Sequence, residues 1–233
     1  SSSSSSSSPF SSSSSSSSAA ATAAKARLRR LLLSEGKKRW QGELSEIGEG
    51  ALAPFRVTPR ETIQTVVQGL RLTDDDVLFD LGCGTADWCI AASKASGCRS
   101  VGIELSPAIA KRARSRVTEE LGGEAASSSL VRIEVRDLMA PGGLDGVEEA
   151  TVVVLYMARE ASRQLSPGLR SRLKAGTRVI AVLFSIPGWV PVRVESVKPS
   201  RVFHYVVEVP GGAAPPQVVD GASFAPDGKE DFE

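Results

Sequence analysis

The chain has one histidine, His204, and three cysteines, Cys83, Cys89 and Cys98. One histidine and three unevenly spaced thiols match no zinc signature, so no metal site is expected. Few cysteines, odd in number, do not make a disulfide framework and fit a reducing, intracellular compartment. No run reaches 18 apolar residues, so no membrane span is expected. Net charge is +1. That excludes a global electrostatic pull toward nucleic acid or anionic lipid. Phosphate-binding signatures are missing too. There is no G-K-[ST] for a nucleoside triphosphate, and the glycine turn at Gly82 and Gly84 is followed by Asp87 where a dinucleotide fold wants its third glycine.

The ends are compositionally biased. Sixteen of the first 18 residues are serine. From Ala19 to Lys38 there are six Lys or Arg and one acid, Glu35. A basic Ser- and Ala-rich leader resembles an organelle transit peptide. A low-complexity leader with no address has the same composition, and both readings stay open. Residues 210–233 are rich in Pro, Gly, Ala and acids. Neither end can bury enough apolar surface to offset its ordering entropy. The expected organisation is therefore a disordered leader over 1–49, one domain over 50–209 and a disordered tail over 210–233. The middle part, about 160 residues, is large enough for a real core.

The stretch with most information runs from Val77 to Cys89, VLFDLGCGTADWC. Val77 to Asp80 reads as a buried strand, Gly82 and Gly84 as a tight turn, and Ala86 to Ser96 as a helix that Gly97 closes. Ligands of open α/β sheets bind outside the carboxyl ends of such strands. Val101 to Glu104 is a second strand, and its terminal acid suits a ribose diol. Ser106-Pro107 starts a helix to about Leu121, with Ala110, Ala113 and Val117 inward and Lys111, Arg112, Arg114 and Arg116 on its wet face. Leu130 to Val135 reads as a third strand ending at Arg136-Asp137-Leu138. Thr151 to Tyr156 reads as a central strand covered on both faces. Ser162 to Leu173 is helical, with a restart at Ser166-Pro167. Arg178 to Phe184 is a fifth strand. Val190–Val197 and Arg201–Val209 form a closing hairpin or two edge strands. Before all of these, Thr58, Pro59 and Glu61 read as a capping box ahead of Ile63, Val66, Val67 and Leu70. Five strands alternating with helices, then two without, argue a mostly parallel sheet with an antiparallel end.

Two carboxylates around a glycine turn, Asp80 and Asp87, oppose a phosphate at that helix N-terminus and suit a cationic ligand. The charge pattern favours S-adenosylmethionine over NAD or ATP. The segment Asp80-Leu81-Gly82-Cys83-Gly84-Thr85 resembles motif I of the Rossmann-like, seven-strand methyltransferases. Ala53-Pro54-Phe55, Thr58-Pro59-Arg60-Glu61, Ala150 to Met157, Ala175 to Phe184 and Trp189 resemble a narrower group. These are the small protein-lysine methyltransferases acting on the mitochondrial ATP synthase c subunit and the adenine nucleotide translocase, and their prokaryotic relatives.

The resemblance implies a seven-strand, mostly parallel α/β sheet with antiparallel C-terminal strands. It implies S-adenosyl-L-methionine held by Asp80, Gly82, Cys83, Gly84 and Asp87. Glu104 and Leu105 would lie at the ribose, and Asp137 and Leu138 at the adenine. Glu61 either contacts the cofactor's amino group or only caps its helix. Tyr156 would line the path of the attacking amine, with Thr58 and Pro59 beside the substrate. Trp189 is a substrate wall or a hairpin anchor. Trp88 reads as helix packing, Cys83 as a compact loop residue and His204 as a sheet residue. The implied partner is a protein carrying a lysine, with mitochondrial residence or, failing that, cytoplasmic. There is no N-P-P-Y or D-P-P-Y, and no aromatic-interleaved basic stripe, so nucleic-acid substrates are disfavoured. A small-molecule methyltransferase and a non-catalytic cofactor-fold binding module are the alternatives.

Overall fold

The computed structural model describes residues 58–124, 129–208 and 218–219. The expected leader, residues 50–57 with the Ala53-Pro54-Phe55 stretch, and most of the expected tail lie outside the described residues. Along the chain come α1 (Arg60–Leu70), β1 (Val77–Leu81), α2 (Asp87–Ser96), β2 (Arg99–Glu104) and α3 (Pro107–Glu120). Then follow β3 (Val131–Val135), a 3₁₀ turn (Val147–Glu149), β4 (Val152–Leu155), α4 (Arg159–Arg172) and β5 (Arg178–Val182). The chain closes with β6 (Arg193–Val197), β7 (Ser200–Val206) and β8 (Val218–Val219). The sheet order is β3-β2-β1-β4-β5-β7-β6-β8. β3 to β5 pair in parallel through β2, β1 and β4, whereas β7 runs antiparallel to both β5 and β6. This is the mostly parallel sheet with an antiparallel end that the sequence predicts. One difference is β8. Two residues of the expected tail pair in parallel with β6.

The alternation of side chains along β1 sorts the core into two layers. Leu78 packs with Ile63, Val66 and Val67 of α1, Ile90 of α2 and Ala110, Ala113 and Val117 of α3. Val77, Phe79 and Leu81 face the other way, toward Leu165 and Leu169 of α4. β1 and β4 are buried on both faces, as continuous apolar runs require. At the amino end of the sheet, Arg178 bonds Asp76 at 2.6 Å, and Asp76 also accepts from the Thr151 hydroxyl at 2.6 Å. That cluster ties the starts of β1, β4 and β5 together and leaves their carboxyl ends free for chemistry.

Local readings hold where the signal is local. Gly97 closes α2 at φ +73°, and the Ser106 hydroxyl caps α3 at Ile109 N, with Pro107 in its first turn. Three readings need correction. Pro59, not Thr58, occupies the N-cap of α1, and no side chain caps it. α4 does not restart at Ser166-Pro167; it runs unbroken through an exposed Pro167. β5 stops at Val182 because Leu183 turns left-handed at φ +71° and its N–H donates to Arg201 O.

Candidate functional site

β1 lies between β2 and β4, so the chain leaves its carboxyl end to build the sheet first on one side and later on the other. A crevice at such a switch point is the usual ligand site of this architecture. The loop that fills it is tightly folded. The N–H groups of Gly82 and Cys83 both donate to Ile103 O, at 2.8 and 3.0 Å, and Ala86 N donates to Cys83 O at 2.8 Å. Gly82 and Gly84 are at φ +89° and +53°. A Cβ on Gly82 would meet nothing within 4 Å, so the left-handed backbone demands that glycine. Gly102 is needed for space instead. A Cβ there would lie 2.7 Å from the Cys83 sulfur. Cys83 thus packs inward against β2. Burial, then Asp80 and Glu104, push its thiol up, away from reactivity.

Asp80 shares the face of Leu78 and is 2% exposed. Its Oδ2 has no hydrogen-bond partner among the described residues. Burial first, then the charges of Asp87 and Glu104, push its carboxyl up to about 8. Glu104 ends the neighbouring strand. Its Oε2 accepts from Gly84 N at 3.1 Å and its Oε1 from Ser106 N at 2.8 Å. Each carboxylate oxygen keeps a second acceptor site, the requirement for holding a diol. Arg136 N donates to Glu104 O at 3.0 Å, which sets the turn after β3 beside it. There Asp137 Oδ1 accepts from Met139 N at 2.8 Å. Gly143 packs on this turn; a Cβ there would lie 2.4 Å from Asp137 O. The sequence reading treats that region as plain loop and misses Gly143.

The other expected site residues divide by face. Tyr156 follows β4, half-buried, and packs on the same core layer as Trp88 and Leu183. Thr58 is buried, and its hydroxyl accepts from Trp88 Nε1 at 3.2 Å. That bond explains the missing cap: a buried indole N–H left unpaired costs more than a helix end that water can reach. Pro59 and Leu105 are half-buried and Glu61 is exposed. Trp189 is on the opposite layer from Tyr156. It packs beneath α4, donates to Ser166 Oγ at 2.7 Å and meets Tyr205 edge-on at 5.8 Å. It is an anchor in the core and not a wall shared with Tyr156. Asp87 is engaged by its own chain: Arg116 pairs with it at 2.9 Å and the Thr85 hydroxyl donates to it at 2.7 Å. Arg116, read as part of a wet face, is half-buried in this contact. His204 pairs with Glu195 at 3.1 Å on the β6–β7 hairpin.

Set against known proteins, residues 80–193 match the model of the ANTKMT methyltransferase domain. A protein-lysine N-methyltransferase of Saccharolobus islandicus (strain REY15A) is 29% identical over 154 residues, covering 66% of this chain and 90% of the relative. An RNA methyltransferase of Salinibacter ruber, solved with S-adenosyl-L-homocysteine, superposes with a TM-score of 0.60 and 29% identity, covering 67% of this chain and 98% of that one. This chain has the class I S-adenosylmethionine-dependent methyltransferase fold, and residues 80–193 are similar to the ANTKMT methyltransferase domain. The precorrin-6y C5,15-methyltransferase of Geobacter metallireducens shares that fold at 19% identity and a TM-score of 0.52.

The class I fold accounts for the arrangement along the sheet edge. Asp80, Glu104 and the Asp137–Leu138 turn follow one another at the carboxyl ends of β1, β2 and β3, three adjacent strands. A methyl-donor cofactor has a cationic end, a sugar and a base, and this row offers an orphan carboxylate, a doubly anchored carboxylate and a turn with a half-buried leucine. The residues present fit that group. Among the described residues no helix is long and apolar enough to cross a membrane.

Proposed function

We propose that this chain transfers a methyl group from S-adenosyl-L-methionine to the side-chain amine of a lysine in a protein substrate. One observation carries the cofactor assignment. Asp80 is buried with an unpartnered oxygen beside a glycine loop that Glu104 pins from the next strand. Such an oxygen calls for a hydrogen-bond donor, which a ligand ammonium supplies while favouring the ionised carboxylate, and the pyrophosphate of a dinucleotide would be repelled there. The cofactor supplies a methyl group activated on a sulfonium. Asp80 takes its ammonium end, Glu104 its ribose hydroxyls, and Asp137 with Leu138 its base. Gly82 and Gly84 let the backbone approach.

The chain's remaining work is orientation and exclusion of water. Lysine is protonated in water, with a pKa of about 10.4. The amine must therefore lose its proton before attack, which a desolvating mouth promotes. Tyr156, on the same core layer as Thr58 and Trp88, offers a ring to desolvate the amine and a hydroxyl to orient it. Similarity to the Saccharolobus lysine enzyme over most of that enzyme's length supports a protein substrate. The Salinibacter neighbour raises RNA as a second reading. The sequence has no aromatic-interleaved basic stripe, which favours the lysine reading over a phosphodiester chain.

The test uses methyl-labelled cofactor with cell extract. Label that protease removes and ribonuclease spares, and that Glu104→Ala abolishes, supports lysine transfer. Label that ribonuclease removes moves the assignment to RNA. Label confined to small molecules overturns both. The leader's composition supports mitochondrial residence; a fusion of residues 1–49 to a reporter that stays in the cytosol would sink that.

A further inference from the structure

We propose that Arg116 is a positioning residue for cofactor binding, clamping the far half of the glycine loop through Asp87 and Thr85. The proposal rests on the cofactor reading above and extends it to a residue outside the strand-end row.

The loop has two halves with separate supports. The first half, Gly82 to Gly84, hangs on Ile103 O and on Glu104. Glu104 is also the group assigned to the ribose, so its hold on Gly84 is shared with the cofactor. The second half, Thr85 to Asp87, has Ala86 at φ +66°, a left-handed conformation that an alanine adopts only when its surroundings hold it there. The hold comes from α3. Arg116 Nη1 donates to Asp87 Oδ1 at 2.9 Å and to Thr85 O at 3.3 Å. The Thr85 hydroxyl donates to Asp87 Oδ2 at 2.7 Å. One guanidinium therefore fixes the backbone oxygen just before the left-handed residue and the side chain just after it. Arg114, two residues earlier, donates to Ile133 O at 3.2 and 2.7 Å and tethers α3 to β3. The clamp is thus mounted on a helix that is itself anchored to the sheet.

Arg116 has a second effect. The charge of Asp87 acts on Asp80 more strongly than that of Glu104. Pairing with Arg116 cancels much of that charge at its source. Both bonds leave one nitrogen, Nη1, whose two N–H groups are held in the guanidinium plane, so an arginine orders the pair of acceptors more rigidly than a freely rotating lysine ammonium.

The experiment measures S-adenosylmethionine binding by calorimetry on the full chain. It compares wild type with Arg116→Gln, Arg116→Lys, Asp87→Asn and the Asp87→Asn/Arg116→Gln pair. Melting temperature and the turnover rate at saturating cofactor are read alongside. Arg116→Gln is expected to weaken binding about tenfold, the scale of one charge-assisted hydrogen bond lost at a half-exposed site. Turnover at saturating cofactor stays within about twofold, because the reacting groups are untouched. Arg116→Lys recovers part of the loss. Asp87→Asn costs a similar factor, and the double variant is no worse than either single one. Should Arg116→Gln fail to fold, Asp87→Asn against Arg116→Lys carries the same comparison. Binding within twofold of wild type in the folded variants, or losses that multiply in the double variant, overturns the clamp. A wild-type chain that binds no cofactor is a different result, and it sinks the function proposed above together with the clamp.

Discussion

Asp80→Asn should make the cofactor-free protein more stable at neutral pH while removing its function. The carboxyl of Asp80 is held up to about 8 in the fold, against 3.8 when exposed. Between those values the native state keeps a proton that the unfolded chain has released. The unfolded state then binds fewer protons, so stability falls as pH rises, by up to about 1.4 kcal/mol per pH unit. The sign is the reverse of a salt-bridged aspartate. Asp80's contribution is fully in place below about pH 4, drains away as pH climbs toward 8, and is gone above it. Asparagine fills nearly the same volume and does not titrate. Subtracting the two variants' stabilities therefore isolates Asp80 from every other group. From pH 5.5 to 7.5 the difference should move by about 2–3 kcal/mol in favour of Asn. For a domain of this size that is about 5–10 °C in relative melting temperature. Denaturant titrations at four or five pH values measure it directly.

The same proton should appear in binding. A cation docking against Asp80 needs the ionised form, so wild-type affinity for S-adenosylmethionine should climb with pH up to about 8. Calorimetry at pH 6.5 in buffers of different ionisation enthalpy should report close to one proton released, and Asp80→Asn should release none. If the stability curves of the two variants stay parallel from pH 5.5 to 7.5, Asp80 is already charged or partnered in the native protein, and the orphan-carboxylate argument fails.

Three further outcomes follow from the packing. Gly102→Ala sets a methyl 2.7 Å from Cys83 Sγ and 2.8 Å from Ile133 Cδ1, so it should cost about 1–3 kcal/mol in denaturant unfolding. Cofactor affinity should fall with it, since Cys83 belongs to the loop. Trp189→Phe should cost a similar amount by stranding the Ser166 hydroxyl, yet leave cofactor affinity within twofold, because Trp189 is on the opposite core layer from Tyr156. A large affinity change there would return Trp189 to the site. Tyr156→Phe should lower turnover about tenfold with cofactor binding unchanged, the loss of one orienting hydrogen bond; unchanged turnover would make the residue a rim filler.

What could be read in advance is what adjacent residues decide. The buried strand, the glycine turn and the acid at the next strand's end each announce themselves within a few positions, and pairing Gly84 with Glu104 needed only the parallel order of two consecutive strands. What could not be read depends on contacts between elements interpreted one at a time. Thr58 looks like a cap until Trp88, 30 residues away, claims its hydroxyl. Arg116 looks like surface charge until Asp87, 29 residues away, is folded against it. Trp189 could serve either face of the sheet, and only the path of the chain after β5 decides which. Gly102 reads as an incidental glycine in a strand until the Cys83 sulfur arrives over it. In each case the local signal was a true propensity, and a tertiary partner with a larger demand overrode it.

Asp80 also explains why the site is legible at all. Among the described residues it is the one acid in the buried core, where the other polar side chains are hydroxyls. Folding alone gives no reason for it. An asparagine or a small apolar residue at that position would spare the domain an unpaired carboxylate whose burial opposes its charge. The cost also grows with each acid nearby, and the chain sets two more, Glu104 and Asp87, close enough to raise it. A buried acid among other acids keeps its proton in the empty fold, at a cost to stability, and ionises only in partnership with something positive. Arg116 answers Asp87, and backbone N–H groups answer Glu104. Asp80 alone is left without a partner from the described chain, so the missing positive charge belongs to the ligand, and the ligand's affinity should be the quantity most sensitive to that one carboxyl.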